Sequence, residues 1–365
     1  MGGNKFTNNS GEGVTNEFFY LDISKPFTTT DNVSIPWIDL TYTGGPFKGE
    51  ATACSGGKNN DKIFILGGYY NSNYNNNSFV NQFDTSIQQW FNIESGAPMY
   101  KQDISCAKFS SGLIAIFSGL SYPSPINDLW IFDTLTLSWS LINAANAPLQ
   151  LHGYCAITLP DETILYIGGA NSNDLSSYSP MDILPLYNTK SHMWTNTSIS
   201  GQIPTIRAFF SAILTPDRRI IIFGGCTKND GVLGDLWILD TVVFQWSIGK
   251  ILNPIEGPIL CGHTATLVKI YMIIAFGSLI NVGLSSKLFM LDVSQNDSYR
   301  WVNEFTTNVT FPSNITIPDF KISSLTIGAI IGCVIFIAIF IIAVIGYKIY
   351  KNLRHKQLQE AVQNM

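Results

Sequence analysis

The chain has 365 residues, 46% of them hydrophobic and 13% aromatic, with only 13% charged and a formal net charge of −5. The charged share is about half the usual 25% or so, and with so many aromatics this excludes disorder for most of the chain. No run of Lys or Arg occurs before the C-terminus, which excludes a nucleic-acid partner, because phosphate contacts need clustered cations.

The N-terminus reads Met1-Gly2-Gly3, and Met1 to Tyr20 holds no apolar stretch of the signal-peptide kind. Further on, apolar runs ending in a glycine pair, or a relic of one, recur: KIFILGG (62–68), LIAIFSG (113–119), TILYIGG (163–169), RIIIFGG (219–225) and MIIAFGS (272–278). A polar loop follows each run, then an apolar strand ending in Asp or Asn, and six residues later a Trp. Asp84 thus precedes Trp90, Asp133 precedes Trp139, Asn188 precedes Trp194, and Asp240 precedes Trp246. The interval lengthens from Asp292 to Trp301 and from Asp22 to Trp37. Trp130 and Trp237 form a second column in the tetrapeptides NDLW and GDLW. A tryptophan roughly every 50 residues is the mark of a repeat architecture.

Each unit breaks into four short β-rich segments; in the third they are Ser105–Phe109, Leu113–Phe117, Asp128–Phe132 and Trp139–Ile142. Four strands per unit, repeated, predict an all-β propeller. Its blades fall at about 1–40, 48–92, 103–142, 151–196, 207–248 and 261–303. The pairs Gly67-Gly68, Gly168-Gly169 and Gly224-Gly225 give the chain access to positive φ as it leaves a crowded inner strand. Asp or Asn at the third strand's end suits a turn in which its side chain accepts nearby backbone N–H groups. Trp90, Trp139, Trp194, Trp246 and Trp301 offer a large face to a neighbouring sheet and an indole N–H to a turn carbonyl.

These glycine pairs and tryptophans resemble kelch repeats, a likeness covering residues 18–303. Departures are Ser118 and Ser278 in place of a glycine, and Tyr187 before an Asn. The resemblance implies a six-bladed kelch-type propeller whose first blade is incomplete, since only 18–23 and 36–40 supply strands there. Two expectations follow: a longer parent chain, with six or seven blades, or closure of the first blade by 304–320.

Past a stalk at 304–324, residues 325–347 run for 23 positions without a charge. At about 1.5 Å per residue they make a helix of roughly 34 Å, enough to cross a bilayer. Lys348, Lys351, Arg354 and Lys356 follow in the 348–365 tail, which the positive-inside bias places in the cytoplasm with the propeller outside. A cytosolic, tail-anchored adaptor is the rival topology. Sequons at Asn8, Asn32, Asn76, Asn196, Asn296, Asn308 and Asn314 all precede the span and fit a glycoprotein. Gly328 and Gly332 form a small-residue face that permits a homodimer.

Some propellers of this resemblance carry a copper–radical galactose oxidase site. Here His152 and His263 fall on inner strands two blades apart, His192 in an outer turn and His355 in the tail, so no pair is spaced to share a metal. The expectation is therefore no catalytic residue, no cofactor and no metal. Cys54, Cys106 and Cys155 read as a column of small packed residues, unlinked at blade-to-blade distance, while Cys226 and Cys261 could pair between blades 5 and 6, a question the sequence leaves open. In kelch-like propellers the loops joining strands two and three share a face with the inter-blade loops. Those loops are 69–79, 120–126, 170–180, 226–233 and 278–286, and Tyr69, Tyr70, Tyr74, Tyr122 and Tyr178 stand in them beside Asn, Ser and Asp. Tyrosine among small polar residues suits recognition of a protein or glycan.

Overall fold

The five apolar runs each fold as the second strand of a four-stranded antiparallel meander. Their β-branched and aromatic residues fit a pleat packed on both faces. The computed structural model describes residues 3–7, 11–31, 33–69, 78–94, 96–98, 100–121, 126–172, 175–228, 231–254, 258–279 and 283–312, with 3–7, 11 and 12 by backbone alone. The chain divides into two compact units, Met1–Ser313 and Asn314–Met365, and every described residue belongs to the first. The 325–347 span, Gly328, Gly332, Cys333, His355 and Asn314 therefore lie outside the described residues, as do Asn8, Asn32 and Asn76. Among the described residues no helix is long and apolar enough to cross a membrane.

Blade 2 comprises Thr52–Gly56, Lys62–Leu66, Val80–Asp84 and Gln89–Ile93. Blade 3 comprises Cys106–Lys108, Leu113–Phe117, Leu129–Asp133 and Ser138–Ile142. Blade 4 holds Cys155–Thr158, Thr163–Ile167, Ile183–Asn188 and Met193–Ser198. Blade 5 holds Ser211–Leu214, Arg219–Thr227, Gly231–Asp240 and Gln245–Ile248, with Ser200–Gly201 added parallel to the last. Blade 6 holds Thr264–Val268, Tyr271–Ala275, Leu288–Asp292 and Arg300–Val302. First strands of successive blades lie side by side, so the sheets fan outward from a common centre. Burial follows: in blade 4 the second strand is buried throughout, while the fourth alternates and is mostly exposed.

Before blade 2, Phe19–Leu21 pairs with Trp37–Asp39, and Gly3–Thr7 forms a hairpin with Gly11–Thr15. Glu304–Phe305 returns to pair with Phe27–Thr28, so the segment after blade 6 does reach the first repeat. Each fourth-strand indole is wedged against the preceding blade. Trp90 meets Phe18 at 4.9 Å, Trp139 meets Phe79 at 5.7 Å, Trp194 meets Phe117 at 4.8 Å and Trp301 meets Phe223 at 5.5 Å. Trp37 meets Phe276 of blade 6 at 6.1 Å, which completes the circle. Trp246 donates to the Met181 carbonyl of blade 4 at 2.7 Å. The expected indole bond to a turn carbonyl holds there, but Trp90 donates to the Thr43 hydroxyl instead, and the buried Nε1 atoms of Trp139 and Trp194 have no partner among the described residues. The Asx turns are uniform. Asp22, Asp84, Asp133, Asn188, Asp240 and Asp292 each accept the N–H two residues on, at 2.8–3.0 Å.

Four expectations are corrected. In blade 6 the positive-φ pair is Phe276-Gly277 (φ 64° and 84°), so Phe276, not Ser278, stands where a glycine is usual. Segments 226–233 and 278–286 are hairpins rather than loops, because pairing resumes past the glycine pair after a bulge in blade 5, and Ser278–Leu279 pairs with Gly283–Leu284 in blade 6. Cys54, Cys106 and Cys155 are not one column. They pair with Phe64, Ile116 and Ile167, which stand three, two and one residues before the pairs at Gly67, Ser118 and Gly168. Staggered along adjacent first strands, Cys54 and Cys106 form a disulfide with Cα atoms 6.5 Å apart. Cys226 and Cys261 form a second, a pairing the sequence left open.

Candidate partner-binding face

Just before its first strand, each of blades 2 to 6 carries a residue in the left-handed region: Glu50 (φ 55°), Asp103 (52°), Gly153 (63°), Phe209 (55°) and Gly262 (68°). A side chain there costs roughly 1–2 kcal/mol, yet three of the five are not glycine. Their backbones form one hydrogen-bonded hoop. Asp103 N–H donates to Glu50 O (3.1 Å), Gly153 to Asp103 (2.8 Å), Phe209 to Gly153 (2.7 Å) and Gly262 to Phe209 (2.8 Å). The residues one before, Gly49, Gln102, His152 and Ala208, bridge to Tyr69, Leu120, Ala170 and Cys226, which follow the glycine pairs. The hoop therefore lies on the face where the connections between strands two and three begin.

The glycine pairs make that closeness possible. A Cβ on Gly68 would stand 2.5 Å from Gly49 O, and one on Gly168 would stand 2.7 Å from Arg207 O. Two residues before each hoop position lies a buried column: Lys48, Lys101, Leu151, Arg207 and Leu260. Arg207 makes a bidentate pair with Asp235 (2.7 and 2.9 Å) and donates to Gly224 O. Lys101 meets Asp128 at 2.5 Å. Burial works to raise the Asp235 pKa, but Arg207 outweighs it and holds the carboxyl below its ordinary value. Trp130 and Trp237 donate to the same two carboxylates at 2.6 Å, which accounts for the second tryptophan column. Phe79 stands where these aspartates would be in blade 2. Among the described residues Lys48 there donates only to Phe79 O at 3.1 Å, and burial draws its pKa down to about 7.

Glu50, Asp103 and His152 gather on one part of the hoop. His152 is 4% exposed; its Nε2 donates to Ser172 O at 3.0 Å, and its Nδ1 lies 3.8 Å from Asp103 Oδ2 with no hydrogen bond. Burial opposes the imidazolium, but Asp103, the Ser172 carbonyl and Glu50 outweigh it and raise the His152 pKa. Glu50 is exposed to solvent. Burial first, and Asp103 second, push its pKa up to about 7. The Phe209 ring lies 5.9 Å from the imidazole and covers Gly153. His263, by contrast, is tied to Ser211 Oγ at 2.8 Å and pushed down to about 4 by burial. His192 occupies the outer Asx turn, bonded to the Tyr187 hydroxyl. Among the described residues no three His, Cys, Asp or Glu side chains are placed to hold a metal ion.

Of the tyrosines singled out, Tyr70, Tyr74 and Tyr122 lie outside the described residues. Tyr69 is half-buried and bridged to Gly49, and Tyr178 is half-buried with its hydroxyl shielded from solvent. The hoop residues were not singled out by sequence. Their signal is a basic residue two positions upstream, as in K-G-E (48–50), K-Q-D (101–103) and R-A-F (207–209).

The profile of the KLHDC2/KLHL20/DRC7 Kelch-repeats domain family matches residues 1–218 and 168–316. Acyl-CoA-binding domain-containing protein 4 of Arabidopsis thaliana is 25% identical over 199 residues, 51% of this chain and 29% of that protein. An F-box/kelch-repeat protein of the same plant is 25% identical over 173 residues, 45% of this chain and 35% of that protein. Host cell factor 1 of Homo sapiens is 30% identical over 139 residues, 37% of this chain and 6% of that protein. The chain spans about a third or less of the length of these relatives.

Proposed function

The chain belongs to the KLHDC2/KLHL20/DRC7 Kelch-repeats domain family, and from that premise we propose a non-catalytic interaction module: a six-bladed propeller over 1–303, on a stalk at 304–324, anchored by a span at 325–347 and binding a protein or glycan partner through the hoop face. One observation carries the reading. Elsewhere the repeats agree in kind, with tryptophan wedges, Asx turns and buried second strands, whereas the equivalent hoop positions on this face change in character from blade to blade: Glu50, Asp103, Gly153, Phe209 and Gly262.

The propeller lies outside the membrane in this reading. Disulfides between blades 2 and 3 and between blades 5 and 6 belong to oxidising compartments, and the described sequons Asn196, Asn296 and Asn308 are all exposed. Photo-crosslinkers placed at Tyr69 and Tyr178, against controls at Phe91 and Leu141 on outer strands, test the binding face in cells. Partner adducts are expected from the first pair; adducts from the outer strands alone would contradict the reading. A glycosidase-sensitive mobility shift, reduced in the Asn196→Gln/Asn296→Gln/Asn308→Gln variant, tests the topology; no shift in the unmutated chain would contradict it.

A further inference from the structure

We propose that the Glu50–Asp103–His152 corner of the hoop receives a cationic side chain, arginine or lysine, from the partner protein. The inference deepens the interaction reading above and rests on it. Two carboxylates from adjacent blades share this corner. Among the described residues neither carboxylate faces a Lys or Arg, and the only basic group against them is the His152 imidazole. The undescribed loops between Tyr70 and Val282 contain no Lys or Arg that would neutralise them.

The second observation is His152 itself. In the neutral imidazole, with Nε2–H spent on the Ser172 carbonyl, Nδ1 presents a lone pair, buried, unpartnered and turned toward Asp103. A buried acceptor without a donor costs about 1–3 kcal/mol, and an incoming N–H removes that cost. Phe209 adds an aromatic ring beside the imidazole, the kind of surface on which a guanidinium or ammonium rests. A guanidinium supplies several donors in one plane, enough for both carboxylates and Nδ1. A metal ion fits less well, because the described side chains form no chelating trio.

The solubilised full chain, labelled with ¹³C at histidine Cε1, provides the test. Four histidines give four resonances, and His152→Gln assigns the one of interest. N-acetyl-arginine methylamide is titrated as probe, with N-acetyl-citrulline methylamide as its neutral isostere. The arginine probe is expected to shift the His152 resonance saturably and the citrulline probe to leave it in place. Glu50→Gln with Asp103→Asn should weaken the arginine response about tenfold while the His263 resonance stays put. If the double variant disturbs His263, Glu50→Gln alone, at an exposed side chain, carries the comparison. Equal responses to the two probes, no response, or unchanged binding by the variant overturns the proposal. Face-specific crosslinks without a cation response remove this site and leave the interaction reading; a cation response without such crosslinks does the reverse.

Discussion

Replacing Lys48 with Met should stabilise this protein, against the habit of expecting core substitutions to harm. Lys48 is 2% exposed, and where its counterparts face Asp128 and Asp235 it faces a backbone carbonyl. Burial lowers its pKa from 10.5 to about 7. At about 1.36 kcal/mol per pKa unit the buried charge costs on the order of 4–5 kcal/mol. The folded state binds fewer protons than the unfolded between about pH 7 and 10.5, so stability rises with pH across that window. The cost is complete below pH 7 and absent above 10.5. Methionine keeps most of the volume, and Phe79 O retains the Gly67 N–H at 2.9 Å, so no acceptor is orphaned. Urea midpoints across a pH series should show K48M more stable by about 2–4 kcal/mol at pH 6.5, the gain fading toward pH 10.5. Lys101→Met is the contrast: it strands Asp128 and should cost about 2 kcal/mol. A Lys48→Met variant no more stable at pH 6.5, or stabilised equally at every pH, would refute the reasoning.

The remaining expectations concern the disulfides, the tryptophan wedge and the two buried histidines. Opening Cys54–Cys106, which spans 52 residues, should lower stability by about 4 kcal/mol in the chain-entropy estimate, read as a shift in the denaturation midpoint of Cys54→Ser/Cys106→Ser. Trp194→Ala should cost about 3–5 kcal/mol, because the ring fills the seam between blades 3 and 4. His263 titrates near pH 4 when folded because it is buried, while the unfolded group takes its proton near pH 6.5. Stability should therefore fall by about 3 kcal/mol as pH drops through that interval, and His263→Gln should flatten the fall in thermal melts. The His152 resonance should titrate above the usual histidine value, and Asp103→Asn should bring it down.

What the sequence made legible is what is local. The Asx turns, the positive φ of the glycine pairs and the Trp spacing each depend on a few adjacent residues; the Asx turn recurs from Asp22 to Asp292, and the six-residue step to Trp holds from Asp84 to Trp246. What it hid depends on bulges and on contacts between blades. Cys54, Cys106 and Cys155 stand four, three and two residues past their hoop positions, so counting back from the glycine pairs aligned residues that the sheets stagger. That slip concealed the Cys54–Cys106 link. Phe276 was overlooked because an aromatic residue in the left-handed region is rare. Glu50 and Asp103 were missed for another reason: a lone acid before an apolar strand looks like a solvated loop until adjacent blades bring two together.

The hoop itself admits the most direct measurement. Hydrogen exchange on the full chain should show the amides of Asp103, Gly153, Phe209 and Gly262 protected, and opening together at nearly the same free energy, because each is donated to the carbonyl one blade back. Exchange of these four amides at the separate, fast rates of surface loops would contradict a ring of rotation-related blades and the binding face built on it.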